Sequence, residues 1–146
     1  MSDQYTQMTM FTNFEEVARA YRHFEIHNYG GPPHHIPRQH EVFRLRALQE
    51  ELAELKDGYK NHDLEAIADA LVDLVVFALG TAVVHDLPWE PLFAEVMRAN
   101  MEKIPGEGNK FRRVDGVVDL LKPDNWRPPD ILRTLQQHGW RGEDPR

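Results

Sequence analysis

The sequence predicts an all-α fold, on three observations. Apolar residues recur at spacings of three and four through most of the first hundred positions. The gaps between these segments carry Gly, Pro, Asn or Asp. One long segment is apolar on nearly every side, as a central bundle helix is. Apolar residues make up 41% of the 146 and charged residues 28%, a balance suited to a folded core. The expected architecture is a single domain over residues 1–146. It has a four-helix bundle as its body, about 13–105, and an irregular extension over 106–146, and it assembles as a homo-oligomer.

The first helix is expected over 13–28, where Phe14, Val17, Ala18, Tyr21 and Phe24 share a face and Thr12 or Asn13 is available as a cap. Gly30-Gly31, Pro32-Pro33 and Pro37 make the next stretch a loop. A second helix follows from about Glu41 to Tyr59, with Leu45, Leu48, Leu52, Leu55 and Tyr59 as its seam. Asp57-Gly58 and Asn61-His62-Asp63 break that pattern. The third helix, Leu64 to His85, carries one charged residue, Asp73, between Ala70 and Val84. A domain this small cannot surround such a helix alone, hence the oligomer. A fourth helix starts around Pro88, a residue suited to a first turn, and ends near Ile104-Pro105-Gly106. The extension is expected to hold a small hairpin around Asp115-Gly116 and a short helix, ILRTLQQH, closed by Gly139.

Charge and composition remove several functions. A formal charge of −7 argues against nucleic acid as a partner, because such binding needs a basic stripe. Residues 1–102 hold 17 acids against 8 Lys/Arg, and residues 103–146 hold 7 against 9. An acidic body with a mildly basic tail suits a metal on the one and an anion on the other. The absence of cysteine excludes disulfides, thiolate zinc sites and cysteine nucleophiles. MSDQYTQMTM lacks the basic start and apolar run of a signal peptide. The apolar run Leu74–Val84 is shorter than the roughly 20 residues a bilayer demands, so a cytoplasmic protein without membrane contact is expected.

Asp73 is the most informative residue. A lone carboxylate in an apolar setting costs several kcal/mol or stays protonated, so it needs a cation or water. No Lys or Arg occurs between Lys60 and Arg98, and Asp69 adds a like charge one turn earlier. On the second helix Glu51 flanks the seam and neighbours Glu54, while Glu50 and Glu54 point largely away. If the two helices pack antiparallel, Glu51 and Glu54 approach Asp69 and Asp73. Such an all-oxygen set suits Mg²⁺ or Mn²⁺. Read alone, LQEELAEL is more commonly an ordinary solvated face, and it is Asp69 and Asp73 on the following helix that turn the reading toward a metal site. His23 and His27 at i, i+4, with His34, His35 and His40, form a rival zinc or nickel site that lacks accompanying carboxylates. Asn100 and Lys103 share a face, with Lys110, Arg112, Arg113 and Lys122 beyond. These are candidate phosphate contacts or routine surface charge. Trp89, Trp126 and Trp140 suit base stacking or, more commonly, core packing.

Glu50-Glu51-x-x-Glu54 followed by an acidic motif ending in Asp73 resembles the EExxE…ExxD signature of the all-α nucleoside triphosphate pyrophosphohydrolases. These include MazG, the dimeric dUTPases and phosphoribosyl-ATP pyrophosphohydrolase. The resemblance covers about residues 41–105, and ADALVDLVVFALGTA, MRANMEKI and KPDNWRPPDI are similar to a MazG-like subgroup of bacteria and phages. It implies a homo-dimer or homo-tetramer holding two or more Mg²⁺ (or Mn²⁺) ions per site. The activity implied is cleavage of a nucleoside triphosphate between its α and β phosphates. Glu51, Glu54 and Asp73 then carry over as catalytic metal ligands, and Glu50 as a further ligand or the residue orienting water. Asn100 and Lys103 match positions near the phosphates, with Lys110 and Lys122 as added cations. Phage MazZ-type members act on dGTP, which makes dGTP or GTP the first substrate to test, in host cytoplasm if the gene is a phage's. One position departs: the ExxD glutamate is replaced by Ala70, with Asp69 beside it. The competing expectation is a non-catalytic acidic oligomerisation or regulatory module.

Overall fold

The computed structural model describes residues 11–106 and 119–142, and their regular structure is almost wholly helical. Helix α1 spans Asn13–His23 and opens on a reciprocal cap. The Glu15 amide donates to the Thr12 hydroxyl at 3.2 Å, and the Thr12 amide donates to the Glu15 carboxylate at 2.7 Å. Phe14, Val17 and Ala18 are buried. The helix ends five residues before the expected 28, because the chain turns at Glu25, whose φ is 56°. Phe24 consequently leaves the apolar face and stands exposed.

Helix α2 runs over Arg38–Asn61 and α3 over Leu64–Val84. His62, in the left-handed conformation, ends α2, and the Asp63 carboxylate caps α3 by accepting from the Ala66 amide at 3.1 Å. The expected break at Asp57-Gly58 does not occur. A Cβ at Gly58 would sit 3.0 Å from the Ile67 side chain, so this glycine lets the two helices approach closely. The inward face of α2 also differs from the leucine seam. It is formed by Arg44, Ala47, Leu48, Glu51, Leu55 and Gly58, while Leu45, Leu52 and Tyr59 are exposed. Ala47 and Gly58 sit deepest in the contact with α3, the most extensive in the described fold, and Leu48 and Leu55 of the expected seam are half-buried beside them.

Near Gly80 the three helices converge. A Cβ there would fall on the Tyr21 hydroxyl and lie 3.2 Å from the Arg44 guanidinium, which donates to that hydroxyl. The tyrosine cannot swing away without losing Arg44. Gly80→Ala is therefore expected to destabilise by about 1–3 kcal/mol, the usual cost of overpacking, read as a lower urea midpoint at unchanged slope.

The described residues divide into two compact units, 11–87 with Gly142, and 88–106 with 119–141. In the second, α4 spans Trp89–Met101 behind Pro88, and α5 spans Ile131–Gln137 behind the Asp130 cap. Residues 104–106, expected to end the fourth helix, instead form strand β1 (Ile104–Gly106), antiparallel to β2 (Asp119–Leu121). Pro105 accounts for this, since it disfavours helical backbone at the residue before it. The expected turn at Asp115-Gly116 lies outside the described residues. Gly139, at φ 97°, follows α5 as expected.

Within that unit Arg98 binds Glu95 at 2.9 Å and Glu102 at 2.7 Å, and Glu95 also accepts from the Asp130 amide at 2.9 Å. The Arg98 hydrogen bonds, then the Asp130 amide, hold the Glu95 carboxyl at about 2, against an ordinary 4.5. A depressed carboxyl contributes stability above pH 4.5 that is lost as pH falls toward 2. Amide exchange at Asp130 is expected to accelerate across that window in the wild type. In Glu95→Gln it should show no such added slope.

Two apolar faces are left open. On α3, Leu71, Val72, Val75 and Val76 are exposed, and on α4 Phe93, Val96, Met97 and Met101 are. Helix α3 is also longer than the apolar run Leu74–Val84. Its 21 residues, with mean hydropathy 2.2 over its most apolar window, suffice by length and composition to cross a bilayer. Asp69 and Asp73 stand within it, and a charged side chain near a bilayer centre costs at least about 2.5–3.5 kcal/mol.

Candidate active site

The short connection at His62-Asp63 folds α3 back along α2 and brings the middle of one helix against the middle of the other. Glu51 and Asp73 are half-buried there, and Glu50, Glu54 and Asp69 are exposed. Glu51 is the acid among these five whose carboxyl is perturbed by the others. Burial first, then the charges of Glu54, Asp73, Asp69 and Glu50, push its carboxyl above the ordinary 4.5. The other four acids expected from the sequence thus all act on the Glu51 carboxyl.

Glu51 Oε2 is fully buried and has no hydrogen-bond partner, the only such side-chain atom among the described residues. A desolvated acceptor without a donor is costly unless a ligand satisfies it. An oxygen donor set without a neighbouring base fits a hard divalent cation, so Glu51, Glu54 and Asp73 are suited to hold one, with Asp69 and Glu50 beside them. The expectation of a ready-made cage is corrected in one respect. As the side chains stand, no three His, Asp or Glu residues among those described converge to clasp an ion. Like charges repel, and the exposed members spread into solvent.

The departure from the ExxD pattern has a structural counterpart. Ala70, in place of the expected glutamate, is 1% exposed, while Asp69 is exposed and adds its charge to Glu51. Asp69 therefore reaches the acidic cluster from the adjacent position.

Of the expected phosphate contacts, Lys103 donates to Asn100 at 2.9 Å in the second unit. The ammonium groups of Lys103 and Lys122 lie 6.0 and 4.4 Å from the Trp126 ring centre. Trp126 also donates to the Ala99 carbonyl at 2.6 Å, so it organises lysines rather than offering a free stacking face. Lys110 lies outside the described residues, as do Arg112 and Arg113. The rival histidine site does not assemble among the described residues. His23 packs on Phe24, whereas His27 and His34 lie 3.1 and 3.3 Å from the Asp86 carboxylate. Asp86 and Arg44, both buried, are the polar residues the sequence reading missed. Arg44 was legible in part, because it lies seven residues before Glu51 on the same helix face.

The family profile for phosphoribosyl-ATP pyrophosphohydrolase matches residues 17–100, which include all five acids and Asn100 but neither Lys103 nor Lys122. No curated protein sequence matches the chain. The matched family comprises hydrolases of phosphoric anhydrides, and its helical architecture agrees with the five helices among the described residues. The chain belongs to the phosphoribosyl-ATP pyrophosphohydrolase family, within the MazG-like all-α NTP pyrophosphohydrolase superfamily.

Proposed function

We propose that this protein is a Mg²⁺- or Mn²⁺-dependent nucleoside triphosphate pyrophosphohydrolase. It releases pyrophosphate and leaves a nucleoside monophosphate. The observation that carries this reading is Glu51 Oε2, a buried acceptor without a donor, on whose carboxyl the charges of four further acids act. Two or more divalent ions bound there supply positive charge to the triphosphate and a more acidic water. Glu51, Glu54 and Asp73 hold that charge in place, with Asp69 as a further ligand. Glu50, exposed at the rim, orients the attacking water and accepts its proton. Water adds to the α phosphorus, the bond to the bridging oxygen breaks, and pyrophosphate leaves. Asn100, Lys103, Lys110 and Lys122 take the remaining phosphate charge. No covalent nucleophile is required.

We further propose a homo-dimer or homo-tetramer in the cytoplasm (host cytoplasm for a phage gene), with no nucleic-acid or membrane partner. The open apolar faces on α3 and α4 support the assembly. The first substrate to test is dGTP, then GTP. Each dNTP and NTP incubated with Mg²⁺, with pyrophosphate as the readout, separates this reading from its rival. The rival, a non-catalytic acidic module, is favoured by Ala70 and predicts no pyrophosphate from any of the eight.

A further inference from the structure

A second cavity, of about 360 Å³, lies at the other end of the α2–α3 pair. Ile26, His27, His34, Ile36, Pro37, His40, Phe43, Arg44 and Val84 line it. Four of these carry nitrogen donors and none is a carboxylate. Arg44, the one permanent charge, is 8% exposed. It donates to the Tyr21 hydroxyl and lies 5.2 Å from the Tyr21 ring centre and 5.7 Å from that of Phe43. No Asp or Glu among the described residues forms an ion pair with it. The nearby buried acid, Asp86, is already taken by His27, His34 and the Gly30 amide, which donates to it at 2.9 Å.

A buried guanidinium that, among the described residues, is held by a phenol and two ring faces is left with excess positive charge, and an anion entering the cavity neutralises it. The cavity also borders the start of α2, whose cap residue, Pro37, offers no side-chain acceptor to the first amides. Opposite the nitrogens, Ile26, Ile36, Phe43 and Val84 form an apolar wall. A bare inorganic anion would leave that wall without a partner.

We propose that this cavity is an anion site, separate from the carboxylate cluster, for a small organic phosphate. Its phosphate lies on Arg44 and the imidazoles, and a flat apolar body lies against Ile36, Phe43 and Val84. Arg44 and Glu51 are two helical turns apart on α2, about 10 Å by helical rise.

The test is a titration of the full chain in EDTA with phenyl phosphate, inorganic phosphate and phenol, followed by side-chain NMR of Arg44 and the histidines. Without divalent ions the acidic cluster repels phosphate, so this readout does not depend on the proposed hydrolysis. Phenyl phosphate is expected to shift Arg44, His27 and His40 with a Kd at or below about 1 mM. It should bind about tenfold more tightly than inorganic phosphate, and phenol should leave all three unmoved. His40→Gln, an exposed substitution, should weaken phenyl phosphate several-fold, Arg44→Met should remove its binding, and Glu54→Ala should leave it unchanged. Shifts confined to Lys103 and Lys122, equal shifts with phenol, or none at Arg44 in the wild type would overturn the proposal.

Discussion

Glu51→Gln is expected to raise thermal stability and to abolish pyrophosphate release in the same molecule. Both effects follow from one cause. Burial and four neighbouring acids oppose the Glu51 charge, so removing that charge relieves the folded state in metal-free buffer. In the mechanism proposed, the same charge holds the cations that bear the substrate, and its loss should lower kcat by a factor of at least about 10³. Melting in EDTA and an assay in Mg²⁺ check the two halves separately. Glu54→Ala and Asp73→Ala should likewise lose turnover while keeping helical circular dichroism. Asp69→Asn should lose less, about 10–100-fold, with a raised Mg²⁺ requirement. Full activity in the Glu54 and Asp73 variants would remove the metal reading.

The second large effect concerns assembly. Val72 and Val76 are 61% and 40% exposed on a helix with few charges, one turn apart on its open side. On a monomer's free surface, two glutamates there would change stability by no more than about 1 kcal/mol in all. In the assembly proposed, Val72→Glu with Val76→Glu buries two carboxylates at an apolar contact. Sedimentation should then fall to the 17.0 kDa monomer, with activity reduced at least about tenfold. A wild-type chain that sediments at 17.0 kDa at every concentration would contradict the assembly itself.

The helices were legible because their signals are local. The Thr12 cap, the loop prolines, Asn61-His62-Asp63 and the apolar run of α3 each point to one boundary. The face that α2 turns inward was legible only at Leu48 and Leu55. Leucine spacing favours Leu45, Leu52 and Tyr59, but contact with α3 is decided by how closely two backbones approach, which selects Ala47 and Gly58. The same choice turns Glu51 from the edge of the seam into the contact itself. The acidic site was legible from Asp73, because a lone acid in an apolar helix demands a partner. The Arg44 cavity gave no such sign. Arg44, His27 and Asp86 are far apart in sequence, and only the fold shows that Asp86 pairs with histidines while Arg44 has no carboxylate partner among the described residues.

The central claim is tested most directly by hydrolysing dGTP in ¹⁸O-water with Mg²⁺ and weighing the products. Attack at the α phosphorus predicts pyrophosphate and a monophosphate that carries the label, with none of either from Glu51→Gln. Labelled inorganic phosphate with dGDP, or turnover undiminished by Glu51→Gln, would contradict the account.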